Sequence, residues 1–429
     1  MKGNTECQAV GLLKDHYLKN LKENPQLLIG VELEFPIVEK SGQPTDIAVT
    51  KNLLKELSKT YEVEKVDADG NPIQLVEPVS GDRILFEVSY TTLEFAFGPV
   101  ASIQEVAGRF ETYLAQIQEL LVPFNHEIQG WGVNPNWQIN DNSPVKSPRY
   151  EMLMAYLSLA ENHSSGELHD FYDYGSFICG SQVQLDVSRE NYLRVINAFN
   201  QLEAVKADLF ANSAFWGQDW ETKISRDIFW EASMHGIFEE NVGVNPRDFA
   251  SEEDFFAYLS QSAIFTAERD GQTYYFEPIQ AKDYLAYADI QSYDLEGNQV
   301  VLQPLAQDFE THRSYQYQDL TTRGTVEFRS VCAQPLDRTF APAAFHLGLL
   351  VALEDLESYL AEAPFFERYG RDYPQLRRQF SKKSLTEDEE AAMQEFAGVI
   401  LTICQAGLEK RGLGEEVYLE PLLSSLEIG

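Results

Sequence analysis

Apolar residues recur with helical spacing in several parts of the chain. One stripe is formed by Ile103, Val106, Phe110, Leu114, Ile117 and Leu121, and it predicts a helix from Ser102 to Leu121. Ser102 and Glu105 have the spacing of a capping box at its start. The segment 386–410 repeats this arrangement and predicts a second long helix. Further helices are predicted over 1–26, ahead of the first strand, near 51–60, and over 340–360.

Four other segments alternate between two faces with the period of a β-strand. They read LIGVELEFPIV at 28–38, ILFEVSYTTLEFAF at 84–97, ICGSQVQLDV at 178–187 and TVEFRSVC at 325–332. Strands and helices do not alternate regularly along the chain, as they would in a doubly wound sheet. The pattern therefore predicts an α+β fold, with a mostly antiparallel sheet and helices on one of its faces. No repeat or linker divides the 429 residues, which predicts a single catalytic domain over 1–429.

Carboxylates occupy unusual positions in these strands. Glu32 and Glu34 share a face in the first strand, Glu87 and Glu94 lie in the second, and Glu327 lies in the fourth. Each strand alone fits an ordinary amphipathic sheet whose polar face meets water. Together they suggest convergence, and two carboxylates about 4 Å apart repel by roughly 4 kcal/mol at an effective dielectric constant near 20. Such a cluster requires a cation, and oxygen ligands without a Cys/His cluster favour Mg²⁺ or Mn²⁺ over zinc.

Magnesium held by several carboxylates is suited to binding nucleotide phosphates and to neutralising charge during phosphoryl transfer. Arg329, two residues after Glu327, would add a fixed donor for a phosphate or carboxylate. The chain has no Gly-Lys dipeptide and therefore no P-loop, and it also lacks the H-E-x-x-H, G-x-S-x-G and Rossmann motifs. A glycosidase that uses two of the glutamates, and a non-catalytic acidic binding protein, remain open as alternatives.

The net charge of −35 opposes binding to nucleic acid or to anionic lipid. Four scattered cysteines form no C-x-x-C pair, and the sequence MKGNTECQAV at the start has no apolar region of a signal peptide. No apolar run has the length of a membrane span. We therefore expect a cytoplasmic protein, monomeric or homodimeric, whose partners are small-molecule substrates.

Six motifs in order along the chain resemble those of the plant and proteobacterial type of glutamate–cysteine ligases. They are LIGVELEF at 28–35, the pair Glu87 and Glu94, SQVQLD at 181–186, LFANSAF at 209–215 followed by Ser225 and Arg226, VEFR at 326–329, and GLEKRGLGEEVYLEPL at 407–422. The resemblance implies a glutamine-synthetase-like catalytic fold, in which a curved antiparallel sheet lines a funnel-shaped site. It also implies ATP-dependent ligation of glutamate to cysteine through a γ-glutamyl phosphate.

The resemblance assigns roles to individual residues of this chain. The metal-holding residues would be Glu32, Glu34, Glu87, Glu94, Gln182 and Glu327. Arg329 and Arg226 would act on the phosphoryl group or a substrate carboxylate. Substrate-binding residues would be Gln184, Arg323 and His312, of which His312 fits equally well as an ordinary loop histidine.

The chain departs from the family pattern near its substrate-facing positions. The family has E-P-G-G-x-x-E around the second carboxylate pair, whereas this chain reads EVSYTTLE at 87–94, one residue longer and without the glycines. The family asparagine in V-Q-V-N is Gln184, and the proline of F-A-N-S-P is Ala214. The acceptor therefore stays open between cysteine and a different amine or amino acid.

Overall fold

A computed structural model describes residues 2–164 and 167–428. Its strands are β1 (Ile29–Glu39), β2 (Glu62–Val66), β3 (Pro72–Val76), β4 (Arg83–Phe86), β5 (Thr92–Ala96), β6 (His126–Ile128), β7 (Ser181–Asp186), β8 (Val242–Gly243), β9 (Ala263–Arg269), β10 (Gln272–Gln280), β11 (Ile290–Tyr293), β12 (Gln299–Leu302), β13 (Tyr315–Gln316), β14 (Gln318–Leu320) and β15 (Thr325–Phe328).

The α-helices lie between and after these strands. They are α1 (Lys2–Leu18), α2 (Ile47–Leu57), α3 (Ile103–Leu121), α4 (Pro148–Ser158), α5 (Tyr192–Asn200), α6 (Glu203–Leu209), α7 (Ser225–Glu231), α8 (Glu252–Leu259), α9 (Ala281–Tyr284), α10 (Ala341–Val351), α11 (Leu353–Glu362), α12 (Pro364–Tyr369), α13 (Tyr373–Phe380), α14 (Glu387–Arg411) and α15 (Glu420–Ile428). Short 3₁₀ helices occur at Val122–Phe124, Leu159–Asn162, Tyr174–Ser176, Met234–Gly236, Glu239–Asn241, Ala306–Thr311, Leu336–Arg338 and Glu415–Leu419.

The main sheet has nine strands, which run in the order β14-β15-β7-β1-β5-β4-β3-β2, with β6 paired to one end of β1. All of its pairings are antiparallel. A smaller antiparallel sheet has the order β12-β11-β10-β9, and β8 pairs with β13 in parallel. The predicted α+β class with a mostly antiparallel sheet is confirmed.

One face of the main sheet is buried under helices. In β1 the inward side chains of Ile29, Val31, Leu33 and Phe35 are at most 2% exposed. Phe35 stacks on Phe110 of α3, at 5.6 Å between ring centroids, and α10 packs against β1 and β7. This face therefore supplies the core, and the alternating residues of the same strands face the other way.

The capping motifs define two helix starts as expected. The Ser102 side chain accepts a hydrogen bond from the N–H of Glu105 at the start of α3, and Thr386 and Glu389 form a reciprocal capping box at the start of α14. The predicted helix over 1–26 ends at Leu18, and its first residue lies outside the described part. The predicted helix over 340–360 is two helices, α10 and α11, and the segments Leu336–Val351 and Leu353–Tyr369 bend by 86° where they meet.

By length and composition, α14 is long and apolar enough to cross a membrane, and the bent pair would count as a second candidate. The inward side of α14 packs closely on α10, however. A Cβ added to Gly407 would lie 2.0 Å from the carbonyl oxygen of Gly348. Core helices satisfy the same test of length and hydropathy, so this feature is weak support for a membrane span.

Candidate active site

A cavity of 340 Å³ lies over the face of the main sheet that the helices leave uncovered. All five predicted glutamates line it, and so do Gln182, Arg226, Arg323 and Arg329. These residues come from β1, β5, β7, the turn after β4, helix α7, and β15 with the residues on either side of it. The fold thus brings together side chains that are almost 300 positions apart. The cavity thus contains nine of the eleven predicted site residues.

Strand register explains how the carboxylates meet. Glu34 on β1 is directly opposite Glu94 on β5, and Leu85 on β4 is opposite Glu94. Directly opposed residues in antiparallel strands project to the same face. On the other side of β1, Glu32 is opposite Gln182. The alternation read from the sequence therefore places these side chains in adjacent rows on the cavity face.

Glu34 and Glu32 are held by amide donors. The backbone N–H of Gly180 donates to Glu34 Oε2 at 2.6 Å, and the Gln182 amide donates to Glu34 Oε1 at 3.1 Å. Gln184 donates to Glu32 Oε1 at 2.9 Å. Burial raises the pKa of Glu34 to about 7 in spite of these donors. Burial, with the charge of Glu327, also raises the pKa of Glu32.

Glu87 and Glu94 form a second acidic pair. Burial raises the pKa of Glu94 well above its usual range, and the charges of Glu87 and Glu32 add to the effect. The hydroxyl of Tyr150 donates to Glu87 Oε2 at 2.7 Å. An unscreened group of ionised carboxylates is costly here, so this wall of the cavity favours either protons or bound cations.

The strand predicted over 84–97 is in fact a hairpin, because β4 and β5 pair with each other across a turn at 87–91. Val88 lies in this turn with a φ of 57°, a left-handed conformation that is strained for a β-branched residue. Its side chain lines the cavity next to Gly175, where an added Cβ would lie 3.5 Å from Val88 Cγ2. This turn was not predicted from the sequence, because it contains no glycine and its residues fit a continuous strand.

Two arginines contact Glu327 directly. Arg329 Nη1 donates to Glu327 Oε1 at 2.5 Å, and Arg323 Nη2 lies 3.4 Å from Glu327 Oε2. Arg329 is mostly buried, whereas the Arg323 side chain is 58% exposed. The predicted common face of Glu327 and Arg329 is thus observed as a close ion pair.

Arg226 reaches the cavity beneath a glycine. A Cβ at Gly180 would lie 2.5 Å from Arg226 Nη2, so only glycine leaves room for the guanidinium group. Arg226 Nη1 donates to the carbonyl of Val331 at 3.0 Å, and its Nε has no hydrogen-bond partner. The Gln182 Oε1 atom is also buried without a partner. Both atoms therefore have unused hydrogen-bonding capacity beside the cavity.

Two predicted substrate-binding residues do not line the cavity. Gln184 instead donates a hydrogen bond to the Glu32 carboxylate. His312 makes its contacts away from the cavity, since its Nδ1 is 2.8 Å from the Tyr17 hydroxyl and its Nε2 is 2.8 Å from the Ser262 hydroxyl. Burial lowers the pKa of His312 to about 3, so both ring nitrogens serve a neutral structural contact.

Sequence reasoning missed several residues that line the cavity. They include Arg149, Asp227, Trp230, His235, Arg313, Tyr315 and Tyr317. Period-2 alternation over 312–317 was a usable signal, since Arg313, Tyr315 and Tyr317 fall on one side and His312 on the other. For Arg149, at the start of α4, the sequence offered no comparable signal.

The donor chemistry of the acidic wall fits a divalent cation. Its carboxylates and the unpartnered Gln182 Oε1 offer only oxygen ligands, which Mg²⁺ and Mn²⁺ prefer. Within 2–164 and 167–428, however, no three Asp, Glu, His or Cys side chains lie close enough together to hold a metal ion. The residues therefore match the ion in chemical type, without a preformed set of ligands.

Comparisons with known proteins find glutamate–cysteine ligases. The chain is 23% identical over 436 residues to the chloroplastic glutamate–cysteine ligase of Medicago truncatula, covering 97% of this chain and 79% of that protein. It is 22% identical to the Brassica juncea counterpart, covering 95% and 76%. A solved glutamate–cysteine ligase from Francisella tularensis, in complex with AMP, aligns at 13% identity over 93% of this chain and 83% of that one, with a TM-score of 0.41. The family model described as glutamate-cysteine ligase family 2 matches residues 28–429, and the chain belongs to that family of ligases.

Proposed function

We propose that the protein joins the γ-carboxylate of glutamate to the amino group of cysteine, with ATP as the energy source and Mg²⁺ or Mn²⁺ as cofactor. The observation that carries this proposal is the cavity of a family member, which is lined by five glutamates and five arginines. Such a site suits a substrate complex that contains both divalent cations and phosphate oxyanions. A protein that only bound cations would have no use for the arginines.

The reaction has two steps. A γ-carboxylate oxygen of glutamate attacks the γ-phosphorus of ATP, which gives γ-glutamyl phosphate and ADP. The amine nitrogen then attacks the acyl carbon and expels phosphate, and the nitrogen loses a proton. The product is γ-glutamylcysteine, with ADP and phosphate released.

Each side of the cavity has a part in this scheme. Glu32, Glu34, Glu87, Glu94, Glu327 and Gln182 would hold the divalent cation, which neutralises phosphate charge when it is bound. Arg329 and Arg226 bind the transferring phosphoryl group or a substrate carboxylate, and Arg323 assists them at the cavity mouth. Gln184 acts by holding Glu32 in place. Pre-positioned charges of this kind lower the barrier because they need no reorganisation during the reaction.

Cysteine is the acceptor named for the curated relatives, and a different amine or amino acid is the second candidate. The observation in favour of the second candidate is Val88, which places a branched side chain in the cavity wall beside Glu87. This is the part of the chain that departs from the family motif.

We further propose that the protein acts in the cytoplasm as a monomer or homodimer. All four cysteines are free, which fits a reducing compartment. The charge of −35 disfavours nucleic acid and anionic membranes as partners.

The test is an incubation with Mg-ATP, glutamate and cysteine, in which ADP is measured and the product is identified by mass spectrometry. Omission of each component in turn should abolish the product. Parallel reactions replace cysteine with other amino acids and simple amines. ADP release without any γ-glutamyl product would refute the ligase assignment, and faster turnover with another amine would replace cysteine as the acceptor.

A further inference from the structure

Arg313 lies in the wall of the cavity immediately before β13. The backbone alternates here, so that Arg313 and Tyr315 face the cavity while Ser314, between them, turns inward and donates to Asp319 Oδ1 at 2.5 Å. The Arg313 side chain is exposed and opens onto the same space as the glutamates. Its position is therefore set by the strand that begins two residues later and by the Ser314 hydrogen bond.

The guanidinium group of Arg313 has no ion pair or hydrogen bond within the described residues. Arg329 differs, because Glu327 occupies one of its donors at 2.5 Å. The charges of Glu327, Asp319 and Glu32 all act on Arg313, but none of these carboxylates lies within 4 Å of it. Arg149 also has no ion pair among the described residues, but the charges of Glu87 and Glu94 act on it. The hydrogen-bond donors of Arg313 are therefore unused within the described residues, although the chain has 68 acidic residues.

The ring of Tyr315 holds Arg313 in place. The guanidinium carbon of Arg313 lies 5.6 Å from the ring centroid, and that of Arg329 lies 5.5 Å from it. The Tyr315 ring also packs against the rings of Trp230 and His235, with centroid distances of 5.0 Å and 4.4 Å. Cations over an aromatic face are stabilised by its quadrupole, so the ring orients the guanidinium group without consuming its donors.

His235, which packs against Tyr315, carries no positive charge of its own at neutral pH. It is 1% exposed, and burial, followed by the charges of Arg313 and Arg329, lowers its pKa to about 3. At neutral pH the imidazole is therefore an uncharged support for Tyr315. The charge on this part of the wall comes from the arginines.

We propose that Arg313 is a specificity-determining residue that binds an oxyanion of a substrate, and that Tyr315 is its positioning residue. This inference rests on the proposed ligase function and names a contact within the same site. The oxyanion is either a phosphate of the nucleotide or the carboxylate of one of the amino acids, since both accept hydrogen bonds from a guanidinium group in the same geometry.

The first test is steady-state kinetics of the Arg313→Gln variant, with ATP, glutamate and cysteine each varied in turn. Loss of one charge-assisted contact is expected to raise one KM about 10- to 100-fold, and to change kcat much less. The substrate whose KM rises identifies the source of the oxyanion. Arg247→Gln is the matched control, because Arg247 also lies over an aromatic ring, that of Phe249, but outside the cavity.

Tyr315 provides a second pair of variants. Tyr315→Phe keeps the ring and should leave every KM within about twofold of wild type, whereas Tyr315→Leu should raise the same KM as Arg313→Gln. The proposal is overturned if Arg313→Gln leaves all three KM values unchanged, or if it affects all three equally together with kcat.

Binding measurements separate this inference from the proposed function. ATP, glutamate and cysteine are each added to the wild-type and Arg313→Gln proteins, and thermal stabilisation is recorded without turnover. If no ligation occurs but one ligand stabilises only the wild type, the oxyanion site stands and the ligase assignment fails. If ligation occurs and stabilisation is equal in both proteins for every ligand, the role of Arg313 is refuted.

Discussion

Replacement of Glu34 by Gln should stabilise the protein at neutral and higher pH while it abolishes ligation. Glu34 is opposite Glu94 in the sheet, and burial raises its pKa from 4.5 to about 7. Gln has the same shape and carries no charge. The hydrogen-bonding arrangement survives, because Gln182 can turn its amide so that its unpartnered Oε1 accepts from the new Gln side chain.

The size of the effect follows from the shift in pKa. A change from 4.5 to about 7 corresponds to about 3 kcal/mol between the two ionisation states. The folded protein holds this proton more tightly than the unfolded chain does, so stability falls as pH rises between 4.5 and about 7. The cost is absent below pH 4.5 and complete above pH 7. Since Glu34 partly faces the cavity solvent, we expect Glu34→Gln to gain about 2 kcal/mol at pH 8, and less than about 1 kcal/mol at pH 5.

The assay is urea unfolding of both proteins at pH 5 and pH 8, with and without Mg²⁺. A cation that binds the ionised glutamates should stabilise the wild type at pH 8, by about 2.7 kcal/mol at a concentration 100 times its Kd. The variant should respond much less. Glu62→Gln, on the exposed strand β2, is a suitable control for general charge effects.

Two results would contradict this reasoning. A Glu34→Gln protein that is less stable than the wild type by the same amount at both pH values would show that the carboxylate makes a favourable contact, and not a strained one. Wild-type ligation by the variant, measured as ADP release and product mass, would refute the role of Glu34 in holding a cation.

Two further predictions concern the scaffold around the site. Gly407→Ala should lower the free energy of unfolding by about 1–3 kcal/mol, because the new methyl group would lie 2.0 Å from the Gly348 carbonyl oxygen. Gly398→Ala, in open space on the same helix, should raise the free energy of unfolding by about 0.5–1 kcal/mol. Equal urea midpoints for the two variants would contradict this prediction. Arg377→Met should cost about 3–5 kcal/mol, because it leaves buried carboxylates without the guanidinium group that now contacts them at 2.6–2.7 Å, and a loss under 1 kcal/mol in the same assay would show that they are not charged.

Local rules were sufficient for much of the fold. Two-residue alternation placed Ile29 and Phe35 in the core, and Glu32 and Glu34 on the opposite face, as the structure has them. Helix α3 begins after Ser102, where the side-chain cap predicts it. These features depend on neighbouring residues, so a single sequence contains the information that specifies them.

Features that depend on tertiary contacts could not be predicted from local sequence patterns. Nothing local marks the bend between α10 and α11. The backbone contact between α10 and α14 at Gly348 and Gly407 likewise joins residues far apart in the sequence. The hairpin at 87–91 was read as continuous strand because Val88 adopts a left-handed conformation that its residue type disfavours. His312 was assigned to the site by its position near a motif, although its partners Tyr17 and Ser262 lie far away in sequence.

The cavity also resolves the conflict between a strongly acidic protein and an anionic substrate. Surface charges more than about 8 Å away are largely screened at physiological ionic strength. Charges about 4 Å apart inside a partly buried site still interact by roughly 4 kcal/mol. The five arginines of the cavity therefore govern the binding of an oxyanion, although the chain as a whole carries −35. The same argument applies to the glutamates of the cavity. The neighbouring arginines offset part of their mutual repulsion, and a proton or a cation within the cavity would offset the rest, so we expect pH and divalent metal to act on the same residues.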